Sequence, residues 1–163
     1  MATRAVTSKR MLFLCTGNYY RSRFAEMLFN HLAARAAIGW QAISRGLALE
    51  LGAHNIGPIA TATLAGLVAR GVTLEGLQRG PLAVTEGDLI SADHIVALKR
   101  DEHYPLMARN FPRWIERVEY WHVHDVDFAL PDETLSNIDR DVSGLIERLR
   151  GEGLSPRGGH SLR

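Results

Sequence analysis

Hydrophobic residues follow two patterns along this chain, and the two patterns alternate. Short segments rich in apolar residues favour strands of a buried sheet, and they span 11–14, 40–44, 94–98 and 117–121. Apolar residues at every third or fourth position favour helices, and they span 22–38, 58–71, 101–111 and 131–150. Strands that alternate with helices predict parallel pairing through right-handed crossovers, and therefore a three-layer α/β sandwich.

Capping and turn residues predict where several of these elements begin and end. Gly39 can adopt the left-handed conformation that ends the first helix. Thr85 and Asp88 have the spacing of a capping box, which predicts the start of a further short helix. Residues 45–57 contain glycines and show no clean periodicity, so we expect an ordered loop near the carboxyl ends of the strands.

The first strand leads into the segment around which we expect the rest of the chain to be organised. Cys15 ends this strand, Thr16-Gly-Asn18 breaks it, and Arg21 begins the helical pattern. In a turn between a strand and a helix, the backbone N–H groups point into one small hollow that suits an anion. Arg21 can bind two oxygens of a tetrahedral oxyanion held there. Residues 15–22 therefore predict a cradle for phosphate or a similar oxyanion.

Cys15 faces this predicted cradle, and its position indicates a reactive thiol. The positive field of the N–H groups and of Arg21 favours the thiolate, which is the nucleophilic form of cysteine. A thiolate held against the phosphorus of a bound phosphate can attack it. The alternative interpretation is that Cys15 is a buried strand cysteine and Arg21 a surface helix residue, since free cysteine is often buried.

This segment resembles the active-site loop of the low-molecular-weight protein tyrosine phosphatase family. The resemblance rests on Cys15-x5-Arg21-Ser22 at the first strand-to-helix turn, with Gly17 and Asn18 inside the loop and Ala25-Glu26 after it. In the larger, unrelated tyrosine phosphatases the same pattern lies far along the chain, so its position near the N-terminus favours the small family. The resemblance implies a four-stranded parallel sheet in the order 2-1-3-4, with helices on both faces.

The resemblance also implies roles for individual residues of the loop. Cys15 would be the nucleophile and Arg21 would bind phosphoryl oxygens as negative charge develops. The remaining phosphate contacts would come from the loop, which comprises Thr16, Gly17, Asn18, Tyr19, Tyr20, Arg21 and Ser22. Asn18, Ser22 and Ser44 would support the loop by hydrogen bonds, and Ser22 would also donate to the thiolate.

A phosphatase needs an acid that protonates the leaving oxygen and then activates water. The family keeps this aspartate in an Asp-Pro loop between the fourth strand and the last helix. In the corresponding place this chain has Asp125 and Asp127, without the proline. Asp125 is the first candidate because of its distance after the strand, and Asp127 is the alternative acid. The other interpretation is that both are solvated loop carboxylates.

Several departures from the family pattern bear on substrate and regulation. Tyr20 replaces the second loop cysteine of many members, so an oxidised Cys15 would need an external thiol for repair. Lys99-Arg100-Asp101-Glu102 replaces the usual Asp-x-Ser-Asn segment after the third strand. Tyr19 and Tyr20 could form an aromatic wall of the pocket, or could merely pack on the neighbouring surface. A histidine that completes the support network in relatives is replaced near Arg79.

Composition and charge limit the classes of function. The 163 residues, 46% hydrophobic and with a formal net charge of +1, fit one domain over 1–150 and a flexible tail over 151–163. No large positive field indicates a nucleic-acid partner, and no apolar run suits a membrane span or a signal peptide. One cysteine excludes an internal disulfide. We therefore expect a cytoplasmic protein that is a monomer or a weak dimer.

The expected function is metal-independent hydrolysis of a phosphomonoester, in particular phosphotyrosine, through a cysteinyl-phosphate. The expected partner is a phosphorylated protein or a small phosphomonoester, and no cofactor is expected. His122-x-His124 with Asp125 could offer metal ligands, but isolated pairs of this kind are mostly not metal sites. Two alternatives remain. Arsenate fits the same cradle and could be reduced with an external thiol, and a non-catalytic oxyanion or phosphopeptide binder would result if neither aspartate reaches the pocket.

Overall fold

Strands and helices alternate in the computed structural model, which describes residues 8–74, 79–123 and 131–154. The strands are β1 (Lys9–Cys15), β2 (Trp40–Gly46), β3 (His94–Ala97) and β4 (Val118–Tyr120). The helices are α1 (Arg21–Ala36), α2 (Thr61–Ala69), α3 (Glu86–Ser91), α4 (Arg100–Asn110) and α5 (Pro131–Leu154). Two 3₁₀ turns, Leu49–Gly52 and Pro112–Arg117, lie in the connections. None of these helices has the length and apolar character needed to cross a membrane.

The four strands form one parallel sheet in the order β2-β1-β3-β4. Both the pairing and the order expected from the sequence are therefore confirmed. β1 is an inner strand, and its Leu12 lies opposite Ile43 of β2 on one side and Ile95 of β3 on the other. Cys15 ends this inner strand, so it lies at the carboxyl edge of the sheet, where parallel α/β sheets bind their ligands.

Side chains of β1 alternate between two cores, one on each face of the sheet. Met11 and Phe13 pack on one face with buried residues of α1 and α5, which include Phe24, Phe29, Ile138 and Val142. Leu12 and Leu14 pack on the other face with residues that include Leu89, Leu106 and Met107. Because residues 11–14 are completely buried, both faces of β1 are covered by helices, and the three-layer sandwich is confirmed.

Several element boundaries differ from the sequence predictions. α1 ends at Ala36, and the left-handed residue at its end is Ala37 (φ 54°). Gly39, predicted as this cap, also has positive φ, but its carbonyl accepts a hydrogen bond from Lys9 and leads directly into β2. α2 begins at Thr61 and not at Pro58. The capping box of Thr85 and Asp88 at the start of α3 is confirmed.

The last helix is longer than its hydrophobic stripe predicts. α5 continues to Leu154, so residues 151–154 are helical and do not belong to the predicted tail. The rest of that tail, 155–163, lies outside the described residues.

The segment predicted as an ordered loop over residues 45–57 begins with a close backbone contact. β2 extends to Gly46, where a Cβ atom would lie only 2.8 Å from the carbonyl oxygen of Thr16. A side chain at this position would push the segment away from the end of β1. Glycine therefore allows the 3₁₀ turn at 49–52 to pack beside the loop that follows Cys15.

Glu119 of β4 ties the edge of the sheet to its neighbours. Its carboxylate is 2.8 Å from the ring nitrogen Nε2 of His94, from Nε1 of Trp121 and from the guanidinium of Arg148 in α5. The hydrogen bond with His94, and then those from Trp121 and Arg148, outweigh the opposing effect of burial and lower the pKa of Glu119 to about 2. The folded protein therefore binds a proton at Glu119 less readily than the unfolded chain does.

We expect Glu119→Gln to lower the free energy of unfolding by about 1–2 kcal/mol at pH 7. Because the pKa of Glu119 is lowered on folding, this contribution is complete above the unfolded pKa, which is about 4.5, and is lost as the pH falls toward 2. Urea denaturation of both proteins between pH 3 and pH 7 measures the difference. Glu116→Gln, at an exposed position of the same region, is the control. A difference that stays constant with pH would contradict the prediction.

Candidate active site

A loop of residues 16–20 joins β1 to α1, and donors outside it bind four carbonyl groups of residues 15–19. The carbonyl of Cys15 accepts from Leu47 N (2.9 Å) and that of Thr16 from Ala48 N (3.0 Å). The carbonyl of Asn18 accepts from Arg23 Nη1 (3.3 Å) and that of Tyr19 from Ala60 N (3.0 Å). The C=O and N–H of a trans peptide point in opposite directions, so the N–H groups that follow these carbonyls point inward. Those of Thr16, Gly17 and Tyr19 have no acceptor among the described residues. Such a ring of N–H groups binds anions.

Asn18 determines the curvature of this loop. It is completely buried and has φ 52°, in the left-handed region that asparagine tolerates better than most residues. Its Nδ2 donates to the hydroxyls of Ser22 (2.8 Å) and Ser44 (2.9 Å), and its Oδ1 accepts from the backbone N–H of Leu82 (3.0 Å). The structure thus contains the hydrogen bonds that the sequence predicted for Asn18, Ser22 and Ser44.

Behind Asn18 lies a second layer of polar groups. Arg79 donates to Asn18 Oδ1 (2.9 Å) and to Glu26 (3.2 Å), and the hydroxyl of Ser44 donates to the same carboxylate oxygen of Glu26 (2.6 Å). Arg79 therefore lies where the sequence placed the substitute for the relatives' histidine. Unlike histidine, arginine keeps its charge throughout the physiological pH range.

The thiol of Cys15 lies at the inner end of this network. Its Sγ is 2.9 Å from the hydroxyl oxygen of Ser22. Since that oxygen already accepts from Asn18 Nδ2, the single hydroxyl proton of Ser22 is available to the sulfur. A hydrogen bond donated in this direction stabilises a thiolate more than a thiol.

Arg21 is held at the opening of the loop by a carboxylate from α4. It is only 3% exposed, and its Nη2 and Nη1 lie 2.8 and 3.3 Å from the two oxygens of Glu102. Nη1 also lies 3.4 Å from the carbonyl oxygen of Val123, just after β4. A fork held by two parallel hydrogen bonds has a fixed orientation, so Glu102 fixes the plane of the guanidinium.

Glu102 and the neighbouring His103 also bind the loop through Thr16. The hydroxyl of Thr16 donates to Glu102, and His103 Nε2 lies 3.2 Å from that hydroxyl and 3.4 Å from the carboxylate. His103 Nδ1 accepts from the backbone N–H of Lys99 (3.0 Å), which assigns the ring proton to Nε2. Thr16 therefore connects the loop to the first turn of α4.

The charge states of this pair follow from their surroundings. Burial raises the pKa of Glu102, but the hydrogen bonds from His103, Arg21 and Thr16 and the charge of Arg21 outweigh it, so the pKa lies well below its ordinary value. Burial lowers the pKa of His103, with the contact to Glu102 opposing it. Glu102 is therefore a permanent anion and His103 a neutral ring at physiological pH. Glu102 cannot donate a proton to a leaving group under these conditions.

A cleft of about 340 Å³ opens over Cys15, Thr16 and Arg21. Its far wall comes from the segments 51–55 and 60–62. Tyr19 and Tyr20 both line the cleft and both also pack elsewhere: Tyr20 is 8% exposed within the main core, and the hydroxyl of Tyr19 donates to the carbonyl of Ile56 (2.6 Å). The two alternatives expected for these tyrosines are thus both present.

The candidate acids Asp125 and Asp127 lie outside the described residues, as does His124 of the pair considered for metal binding. Within the described part of the chain, no group of three or more His, Cys, Asp or Glu side chains could hold a metal ion.

Sequence reasoning missed three polar residues of the site: the buried Arg23 and His103, and the half-buried Glu102. In the sequence, Glu102 stands out only as a departure from a family pattern, although its position soon after β3 places it next to the end of β1 in a parallel sheet. Arg23 could have been suspected because a charged residue there interrupts the buried face of α1. Nothing in the local sequence distinguishes His103 from an exposed helix residue.

Comparison with known proteins gives one family and a consistent fold. The model of the family described as low molecular weight phosphotyrosine protein phosphatase matches residues 10–153. No curated protein sequence matches the chain.

Several solved structures resemble this one. YfkJ from Bacillus subtilis is 23% identical, with a TM-score of 0.76 over 90% of this chain and 98% of that one. A low molecular weight protein tyrosine phosphatase from T. tengcongensis is 25% identical, with a TM-score of 0.70 over 89% and 99%. The YwlE arginine phosphatase from Geobacillus stearothermophilus is 21% identical, with a TM-score of 0.65 over 88% and 92%. These similarities establish the fold independently of the loop motif.

Asn18→Ala is expected to weaken binding of inorganic phosphate about tenfold or more, because it removes the hydrogen bonds that shape the loop. Isothermal titration calorimetry with phosphate measures the affinity. Asn30→Ala is a matched control, because Asn30 makes two hydrogen bonds to the backbone of Ala42 in β2, away from the loop. Both variants should be less stable than the wild type, but only Asn18→Ala should lose affinity. Equal phosphate affinities in the two variants would refute the role given to Asn18.

Proposed function

The chain belongs to the low molecular weight phosphotyrosine protein phosphatase family, and from this premise we propose that it hydrolyses phosphomonoesters through a phosphate bound covalently to Cys15. The observation that carries the proposal is the arrangement of the 16–20 loop: inward N–H groups surround a cysteine whose sulfur lies 2.9 Å from the hydroxyl of Ser22. Such a loop can bind the three equatorial oxygens of a phosphoryl group in transfer. The nucleophile then lies in line behind the phosphorus.

The proposed reaction has two steps. The thiolate of Cys15 attacks phosphorus, the bond to the leaving oxygen breaks, and Asp125 gives that oxygen its proton. The carboxylate of Asp125 then takes a proton from water, which attacks phosphorus, and the S–P bond breaks to release phosphate and the thiolate. Arg21 and the loop N–H groups stabilise the negative charge in both steps.

Two observations support an acid from the segment that begins after Val123. Glu102 is ionised at physiological pH and engaged with Arg21, so it is unsuited to the role. The carbonyl of Val123 lies 3.4 Å from Arg21, and Asp125 follows only two residues later in the sequence. Asp127 is the alternative acid.

The cleft supports an aromatic substrate, and we propose phosphotyrosine in a protein or peptide. Tyr19, Tyr20 and the exposed side chain of Leu51 line it, and apolar walls of this kind suit a phenyl ring. A related structure carries the name arginine phosphatase, so phosphoarginine is the competing substrate to be tested beside phosphotyrosine.

The first test is turnover of p-nitrophenyl phosphate in buffer with a chelator between pH 5 and pH 8. We expect Cys15→Ser to abolish turnover, because the nucleophile is lost. Either Asp125→Asn or Asp127→Asn should lower kcat by about 10²–10⁴-fold and remove the decline of kcat at high pH, because that decline reports deprotonation of the acid. The variant that shows both effects identifies the acid.

Substrate and reaction class are distinguished in the same assay format. A phosphotyrosine peptide, phosphoarginine, and arsenate with glutathione are compared at equal enzyme concentration. Preference for the phosphotyrosine peptide supports the proposal, and preference for phosphoarginine would replace the substrate class. Absence of turnover by well-folded protein that still binds phosphate would refute hydrolysis and favour arsenate reduction or simple phosphopeptide binding.

Glu102 provides a second test, because we propose that it acts through Arg21. Glu102→Gln removes one hydrogen bond to the guanidinium and one negative charge near the phosphate. Loss of orientation should lower kcat about tenfold or more, whereas loss of the negative charge should not weaken binding of the dianion. The expected result is a fall in kcat with KM unchanged or lower.

The shape of the pH profile separates positioning from proton transfer by Glu102. Since Glu102 remains ionised between pH 5 and pH 8, its own titration produces neither limb, and its replacement should lower the whole profile while both limbs remain. Asp101→Asn is the matched control, since Asp101 is the neighbouring carboxylate and its side chain is 84% exposed. Loss of a limb, or an effect equal to that of the control, would contradict the role of Glu102.

A further inference from the structure

Arg23 is a buried cation that the proposed reaction does not use. It lies in the first turn of α1, with a relative exposure of 0%. Its guanidinium donates to the carbonyls of Asn18 (3.3 Å), Pro58 (3.1 Å) and Arg79 (2.9 Å). Its Nε–H has no acceptor within the part of the chain that the structure describes. Burial of a charge in this way is costly, so the position requires an explanation.

Among the described residues, no carboxylate forms an ion pair with Arg23. Arg21 is paired with Glu102, and Arg79 is paired with Glu26. All the hydrogen bonds of Arg23 to described residues go to neutral carbonyls. The cluster of described ionised groups behind and beside Cys15 therefore carries a net positive charge, and Arg23 is its source.

Arg23 also acts on the geometry of the loop. Its bond to the carbonyl of Asn18 turns that carbonyl away from the loop centre. Because the peptide is planar and trans, the N–H of Tyr19 then points inward. One side chain thus supplies a fixed charge and also orients a donor of the cradle.

We propose that Arg23 is a positioning residue that places a permanent positive charge behind the loop and thereby stabilises the thiolate of Cys15. This proposal rests on the proposed function only in taking Cys15 as the reactive thiol. Burial and repulsion by Arg79 lower the pKa of Arg23 to about 10, while Glu26 and Cys15 oppose this effect. Arg23 therefore remains charged at neutral pH.

A test of the Arg23 charge requires that the other titratable groups near Cys15 are the same in every variant. They are Arg21 and Glu26 of the loop and α1, Glu102 and His103 of α4, Arg79, and His54 in the cleft wall. Asp125 and Asp127 lie in the undescribed 124–130 segment. All of these residues are unchanged in the variants compared below.

The test uses the pH dependence of alkylation by iodoacetamide, which reports the thiolate. Since the chain has one cysteine, all labelling occurs at Cys15. Arg23→Gln removes the charge and retains amide donors, whereas Arg23→Lys retains the charge. The pH midpoint of alkylation should rise by about one unit in Arg23→Gln and by much less in Arg23→Lys. Arg35→Gln, at an exposed position of the same helix, should leave the midpoint unchanged.

The outcomes distinguish a failure of the role proposed for Arg23 from a failure of the proposed function. A wild-type midpoint near that of an ordinary thiol, about 8.5, would contradict the proposed nucleophile. A low wild-type midpoint that Arg23→Gln does not raise, or that both Arg23 variants raise equally, would overturn the role of Arg23 alone. A purely structural role would lower the melting temperature without moving the midpoint.

A measurement on the unaltered protein covers the case in which a variant does not fold. The ¹⁵N resonance of the Arg23 Nε–H should shift during a pH titration with the same midpoint as alkylation of Cys15. In the Cys15→Ser variant this shift should disappear. A ¹⁵N chemical shift of Arg23 that does not change as Cys15 titrates would refute the coupling between Arg23 and Cys15.

Discussion

The direction of the peptide groups in the 16–20 loop is the constraint on which the rest of the site depends. A short loop can bind an oxyanion only if its N–H groups converge, and they converge only if its carbonyls find donors outside. Here those donors come from three parts of the chain: Leu47 and Ala48 after β2, Ala60 before α2, and Arg23 in α1. Donors outside the loop thus set the direction of its carbonyls, while the buried side chain of Asn18 holds its curvature from within.

Two of the three arginines around the loop form ion pairs with carboxylates, and each pair has a different role. Glu102 orients Arg21 at the opening of the loop, where we propose that a substrate binds, and Glu26 holds Arg79 behind it. Because Arg23 donates to neutral carbonyls, its charge is not offset in the same manner. The site can therefore attract an anion although the whole chain has a formal net charge of only +1.

The fold could be predicted because its signals are local. The apolar run 11–14 and the alternation of elements predicted the parallel sheet and the position of Cys15, and the stripe of apolar residues predicted α5. The order of the strands was implied by the family resemblance. The exact ends of the helices could not be predicted, since Ala37 and Gly39 both adopt positive φ and only pairing with β1 decides which ends α1. Glu102 and His103 could not be found because their contact with Thr16 joins residues more than 80 positions apart.

The proposal for the general acid rests on elimination as much as on resemblance. A carboxylate bonded to an arginine and two further donors cannot release or take up a proton near neutral pH, which excludes Glu102 although it is close to the loop. Glu26, the other carboxylate of the network, is engaged by Arg79 and Ser44 behind Asn18. Both carboxylates that the described residues bring to the loop are thus committed to support. In the proposed reaction the proton would then come from a further residue, and the contact between Val123 and Arg21 favours the aspartates that follow Val123 in the sequence.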